Sequence, residues 1–491
     1  MKKCVSVAML IALSLSMISG CGSKNDTDKT ESSGGDGQIE TISMYYPVSK
    51  VDEDLEVIQQ AVNDYIKDKI NVAVELHPFE YGQWFQQYSL FLSGTENIDI
   101  LANYDNLNGA VSQGAALDIT DLVQEYGQDI LSLEGEYIKC GQVNGVQYTL
   151  PNYTGYAHTI GIEYRADIVR ELGLEDQVAQ VKSLQDWESV LEKVKEEKPD
   201  MTPFATLAGA TQTNFYKGTW DSLGNDYGVL MNGGESAEIV NLFETDEYKN
   251  MCELMYKWNQ EDYSNKDIQT QADTFVTLTK NDAAFSTIAD VDFYSGTFMS
   301  TTTGVEIGAI PLSDYFATTY TNVMWQIMST SEHPEAAMKF LNLWFSDDEL
   351  ASLIKYGIEG QHYQVKDDGT ATYLDGQNAD NCTYHNGTAF NGAAGIRWET
   401  EDKDYAEKII ESNETCKKSS GLEFSFDSSA VLNEITQLDN VCSKYRGGLE
   451  CGTLDPETVL PEFNEELKKA GIDTVIAEKE RQFNEWLTNQ K

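Results

Sequence analysis

The chain has 491 residues, with 81 Asp and Glu against 34 Lys and Arg, a formal net charge of -47, and 41% hydrophobic and 11% aromatic content. A field this negative repels phosphates, which excludes nucleic acid as a partner, disfavours polyanionic ligands and favours a solvated surface. The apolar content suffices for two domains with sizeable cores.

Residues 1–20 carry Lys2 and Lys3, an apolar run from Val5 to Ile18, and the small residues Ser19 and Gly20 before Cys21. This is the pattern of a secretory signal, and "MISGC" resembles a bacterial lipobox, in which the thiol of Cys21 is lipidated and the signal removed. Residues 21–40 then form the lipidated Cys and a Gly-, Ser- and charge-rich linker. No later stretch approaches the roughly 20 apolar residues that a spanning helix needs. The expected location is the outer face of a cell membrane, with the body tethered near a membrane partner. Of eight cysteines, six follow Cys21 without the short paired spacing of a zinc site. His158, His362 and His385 are scattered, so no metal or other cofactor is expected. A "GxxxxGK" phosphate loop is also missing, which assigns any ATP chemistry to another subunit.

"IETISMYYP" alternates as a strand delivering Tyr45 and Tyr46 to its carboxyl end. Leu55, Ile58, Val62, Tyr65 and Ile66 recur at helical spacing, and "NVAVELHPF" alternates again, giving a strand, helix, strand unit. Trp84, Phe85, Tyr88, Phe91 and Leu92 mark a further helix; "NIDILANYDN" reads as a buried strand. Two aromatic-rich strands flank Pro151-Asn152, where the chain is expected to change domain. A charged helix over 183–198, a helix-turn-strand in "TFVTLTKNDAAFSTIADVDFY" and the strands "VEIGAIPL" and "VMWQIMST" follow. Pro334 opens the next helix, and the tail is helical, with Val431, Ile435, Leu438, Cys442 and Tyr445 on one stripe and Asp455-Pro456 and Asp473 opening two more helices. Such alternation predicts α/β architecture, whose ligands lie beyond the carboxyl ends of the strands.

Three stretches, "GVQYTLPNYTGYAHTIGIEYRADIVRELG", "HPEAAMKFLNLWFSDDELASLIKYGIEGQHY" and "GLEFSFDSSAVLNEITQLDNVCSKY" with "LKKAGIDTVIAEKERQFNEWL", resemble family 1 extracellular solute-binding proteins, specifically the lipoprotein subgroup for complex-carbohydrate uptake in gram-positive bacteria. Gln361 departs from that subgroup's pattern, which has lysine there. The resemblance implies a two-lobed, type II periplasmic-binding-protein-like α/β fold with a hinge, an interlobe cleft and extra C-terminal helices. It places the N-terminal lobe at 41–152 plus 308–346 and the C-terminal lobe at 153–307 plus 347–491. It implies a monomeric, non-enzymatic binder that hands a carbohydrate, expected to be an oligosaccharide, to ABC permease subunits. A peptide or cationic solute on the same fold, a surface adhesin or sensor, and a secreted glycoside hydrolase are the alternatives.

A sugar presents apolar C–H faces and a ring of hydroxyls, so its site needs aromatic plates beside oriented polar groups. The expected plates are Tyr46, Trp84, Tyr104, Tyr153, Trp220, Trp325 and Trp398; the polar partners are Asp105, Asn152, Asp221, Asp290, Asp292, Glu359 and Arg397.

Overall fold

Alternate side chains in two short segments, Ile42, Met44 and Tyr46 in one and Val72, Val74 and Leu76 in the other, are buried, as period-two strands require. These segments form the parallel strands Glu40–Val48 and Val72–Glu80 in a computed structural model that describes residues 39–104, 107–206, 219–265, 275–319, 323–379 and 381–489. The helix Leu55–Ile70 connects them, burying Ile58, Val62 and Ile66 at four-residue spacing and ending on Asn71 in the left-handed conformation. The first sheet runs in the order Val72–Glu80, Glu40–Val48, Ile100–Tyr104, Val323–Ile327 and Thr149–Pro151, with Val323–Ile327 antiparallel to both neighbours.

The second sheet runs Lys417–Lys418, Phe316–Ala317, Ala157–Arg165, Ala284–Val291 and Thr202–Ala205, and Ile307–Pro311 also pairs with Ala157–Arg165. Each sheet has its own buried core: one gathers Trp84, Trp325, Trp344 and Phe390, the other Trp187, Phe204, Trp258 and Phe285. The expected two-lobed α/β fold is what forms. Its lobe boundaries differ from those expected: Ile307–Pro311 joins the second sheet, while Leu350, Ile354, Phe390 and Ile409 pack on the first core. Burial decides both placements, because these apolar faces have a partner only on the sheet that they cover.

Three passages therefore link the sheets. They run through 152–156, through the residues after Ala317, and from the helix Tyr405–Thr415 into Lys417–Lys418. Asn413 braces the first passage, accepting from the Tyr156 N–H at 2.8 Å and donating to the Thr154 carbonyl at 2.8 Å.

The tail is helical, as expected: Leu432–Glu450, Pro456–Ala470 and Ile472–Asn489 bury Leu438, Tyr445, Phe463, Val475 and Phe483 in the second core. Asp455 caps the middle helix by accepting from the Glu457 N–H, and Gly471 ends it at φ 103°, a conformation open to glycine. In the last helix Lys479 is fully buried, and its ammonium donates to the carbonyls of Ser222, Asn225 and Gly228 and to Asn225 Oδ1, all at 2.8–3.0 Å. Among the described residues no helix is long and apolar enough to cross a membrane, and no His, Cys, Asp and Glu cluster could hold a metal ion. Cys442 and Cys451, whose approach the sequence leaves open, are separate thiols.

Candidate functional site

Strand register brings distant residues to one end of the first sheet. Val323 stands opposite Tyr104, Met324 opposite Pro151, and Tyr46 lies two residues from the end of the first strand. Alternation then turns Val323 and Trp325 to one face and Met324 to the other. On the face of Val323 and Trp325 lies a cavity of about 610 Å³, within the range of small-molecule sites.

Its first wall is Tyr46, Tyr81, Ala102, Tyr104, Val323 and Trp325, from the first sheet and its neighbouring helix. Asn152, Thr154 and Gly155 of the first passage form the floor, and beside them stand His158 of the second sheet and Asp292, Tyr294 and Ser295, which follow its strand Ala284–Val291. The loop 386–392, with Lys355, Glu401 and Tyr405, closes the remaining side. Both sheets and a passage between them thus contribute to one cavity. A larger cavity of about 860 Å³, between the helices Asp246–Gln260 and Pro456–Ala470, has Tyr256 and Phe243 as its aromatic lining and touches neither the first sheet nor a passage.

Asn152 organises the floor. Its Oδ1 accepts from the Trp325 indole at 2.6 Å, its Nδ2 donates to the Ala389 carbonyl at 3.1 Å, and its backbone N–H donates to the Val323 carbonyl at 3.0 Å. Hydrogen-bonded in this way, Trp325 presents a fixed ring edge although only 1% of it is exposed. The Tyr46 hydroxyl is buried in the first wall beside Asn386, with no partner in hydrogen-bond geometry, and burial raises its pKa above the usual phenol value. Tyr104 and Tyr81 meet through their hydroxyls at 3.2 Å. The Tyr294 and Tyr405 rings lie 4.6 Å apart, both phenols raised by burial. Asp292 Oδ1 accepts from the Tyr294 N–H and the Ser295 hydroxyl, which holds the carboxylate at the cavity edge. On the adjoining strand, burial first, then Asp292 and Asp290, push the Glu163 carboxyl up to about 8.

Of the residues expected here, Tyr46, Tyr104, Asn152, Asp292 and Trp325 line the cavity. Asp105 lies outside the described residues. Trp84 is fully buried among Phe79, Tyr88 and Phe91, and Tyr153 packs edge-on against Phe345 and Tyr156; both are core residues. Trp220 and Asp221 are buried in the second lobe, where Asp221 accepts from the backbone and hydroxyl of Thr319 and so ties its loop to the second passage. Asp290 pairs with His158 at 3.3 Å behind the cavity wall. Glu359 is exposed on a turn, and Arg397 donates to the carbonyls of Gly392, Ala394 and Gly395. Trp398 is buried in a satellite cluster with Tyr356, Tyr363 and Ala371. The aromatic placements share one cause: such side chains satisfy burial and cleft formation equally well in sequence, and packing decides between the two.

The residues not anticipated include Tyr81, His158, Tyr294, Tyr405, Lys355, Glu401 and the loop 386–392. A signal existed for one of them. Lys355 lies one helical turn before Glu359 in the quoted "KYGIEG", and it is the first of these, at the helix end, that reaches the cavity. Gly357 makes the bend between them at φ 86°, where a Cβ would stand 2.7 Å from His362 Nδ1.

Comparison with known proteins gives the wider context. Residues 420–488 match a domain of unknown function, DUF3502. A carbohydrate ABC transporter substrate-binding protein of Streptococcus pneumoniae serotype 4 (strain ATCC BAA-334 / TIGR4) is 27% identical, with 99% of this chain and 98% of that protein covered. The crystal structure of the N-glycan transport solute binding protein NgtS from S. pneumoniae superposes with a TM-score of 0.81 at 25% identity, covering 92% of this chain and all of the other. Its complex with Man5GlcNAc gives 0.76 at 24% identity over 92% of this chain and 99% of that one. An HMO binding, ABC-transporter associated solute binding protein from Bifidobacterium longum infantis ATCC 15697, at 14% identity and a TM-score of 0.60 over 91% of this chain and 99% of that one, shares the fold alone. Residues 51–351, more than half of the chain, match the bacterial extracellular solute-binding protein family, and the chain belongs to it.

Proposed function

We propose that this protein is the extracytoplasmic binding component of an ABC importer, that it captures an oligosaccharide in the cavity between its two sheets, and that it delivers the ligand to membrane permease subunits without altering it. The observation that carries this reading is the cavity itself: rings from both lobes, Tyr104, Trp325 and Tyr405 from the first and Tyr294, which follows the strand Ala284–Val291, from the second, line a volume that a hinge passage crosses. A ligand touching both walls stabilises the closed arrangement, which a permease can recognise. Lipid on Cys21 and the linker behind it would hold a monomer beside that permease at the outer membrane face. The N-terminal lobe then comprises the first sheet and its core, including residues 348–409, and the C-terminal lobe the second sheet and the helical tail. The likeness to the N-glycan transport protein makes mannose- and N-acetylglucosamine-containing oligosaccharides the first probes.

A thermal-shift and calorimetric panel of such oligosaccharides tests this. A true ligand at 100 times its Kd should stabilise the protein by about 2.7 kcal/mol, and small-angle scattering should show the particle contract. Tyr294→Ala and Tyr405→Ala should each weaken binding about tenfold, or about 1.4 kcal/mol. Turnover of the oligosaccharide would instead support a hydrolase, and binding of peptides alone would move the cargo to another class.

A further inference from the structure

Lys355 and Glu401 form an ion pair that lines the cavity, with Nζ 3.3 Å from Oε1 and each side chain 11% exposed. The two ends of the pair are unequally satisfied. Glu401 accepts from the Tyr356 hydroxyl at 3.4 Å and the Trp398 N–H at 3.0 Å as well as from Lys355, and Arg397 stands 3.8 Å from Oε2. Lys355 has three N–H donors and makes one long hydrogen bond, to Glu401, with its Nζ also 4.9 Å from the centre of the Tyr356 ring. Its carbonyl accepts from the Gly387 N–H, which fixes the helix end to the cavity loop. A buried ammonium with unused donors is costly unless an acceptor completes it, and the space available for that acceptor is the cavity.

The local charges restrict the acceptor. Glu401 already answers the positive charge of Lys355, and Asp292 adds a carboxylate to the same cavity. A ligand carboxylate would gain little from a neutralised ammonium and would meet uncompensated negative charge.

We infer that Lys355 is a specificity-determining donor of the cleft, giving hydrogen bonds to uncharged hydroxyl or amide oxygens of the sugar, and that Glu401 cancels its charge so that acidic sugars are rejected. The inference rests on the reading of the cavity as a carbohydrate site. It assigns the ligand to the uncharged glycans.

The test titrates the mature protein with neutral manno-oligosaccharides, N-acetylglucosamine-containing oligosaccharides and uronic-acid oligosaccharides of similar length. The wild type should bind a neutral probe at least tenfold more tightly than any uronate. Lys355→Met should weaken the neutral probe about 10- to 100-fold. Glu401→Gln, which leaves the ammonium uncompensated, should raise uronate affinity about tenfold or more. The double variant Lys355→Met, Glu401→Gln removes both charges at similar volume, and circular dichroism and melting confirm that each variant folds. Should Lys355→Met misfold, Lys355→Arg keeps the charge but redirects the donors, and the same loss of neutral-sugar affinity is expected. A wild type that binds a neutral probe while Lys355→Met or Lys355→Arg binds it equally well, or a wild type that prefers uronates, overturns the inference and leaves the carbohydrate reading standing. Failure of every saccharide to bind the wild type overturns both.

Discussion

Lys479 offers a test of how the C-terminal helices hold the second lobe. Its ammonium is fully buried in a cage of four oxygen acceptors from residues 222–228, a loop that contains Leu223 at the positive φ of 49° and is preceded by Asp221, the partner of Thr319. Burial pulls its pKa down from 10.5 to about 7, against the opposing pull of Asp226 and Asp221. A lysine with a depressed folded pKa binds fewer protons in the native than in the unfolded state between these values, so stability rises with pH across that window. Between pH 7 and pH 9 the linkage from this one group amounts to about 2 kcal/mol. Lys479→Met removes the titration and takes the ammonium from four acceptors, of which the Ser222 carbonyl and Asn225 Oδ1 keep the Asn225 and Tyr227 N–H groups. Guanidinium unfolding of wild type and variant should therefore show the wild type more stable, with the gap wider by about 2 kcal/mol at pH 9 than at pH 7. Every other titrating group is common to the two proteins and cancels in the comparison. A gap that is flat or narrows with rising pH would refute the argument that this ammonium is held at the expense of its charge.

Glu134 presents the opposite sign. Fully buried and accepting from the Tyr156 hydroxyl at 2.7 Å, with Oε1 unpartnered, its carboxyl is pushed up to about 8 by burial. The native state then holds a proton that the unfolded state releases near the ordinary glutamate value of 4.5, so stability falls as pH rises from there to 8. Glu134→Gln should flatten that fall, and urea titrations at pH 6 and pH 8 should show the variant gaining about 2 kcal/mol on the wild type; equal pH slopes would contradict it. Trp84→Ala should destabilise by about 3–5 kcal/mol through the cavity that it leaves, with ligand Kd unchanged in the folded fraction; a selective loss of affinity would return Trp84 to the site.

The periodicities told where the elements lie because they report local physics. Ile58, Val62 and Ile66 repeat every turn and form a buried helical stripe, and Ser183 and Asp455 cap helices where expected, the latter followed by Pro456 at N1. Tyr46 and Tyr104, at the carboxyl ends of their strands, were readable as cleft residues for the same reason. Sheet membership was not readable. Ile307–Pro311 and Val323–Ile327 look alike as short apolar strands, yet the first pairs with Ala157–Arg165 and the second with Ile100–Tyr104. That choice is made by long-range pairing, which leaves no local trace.

By itself, then, the sequence determined the acidic balance, the α/β alternation and the helical tail, all properties of neighbouring residues, while the expected signal and Cys21 lie outside the described residues. Only the tertiary structure decided that Trp84, Tyr153, Trp220 and Trp398 are packed inside, that Lys355 and Glu401 meet across 46 residues, and that Tyr405 faces Tyr294. Burial depends on which surfaces a fold brings together, and an aromatic ring is equally suited to a core or to a sugar until its neighbours are in place.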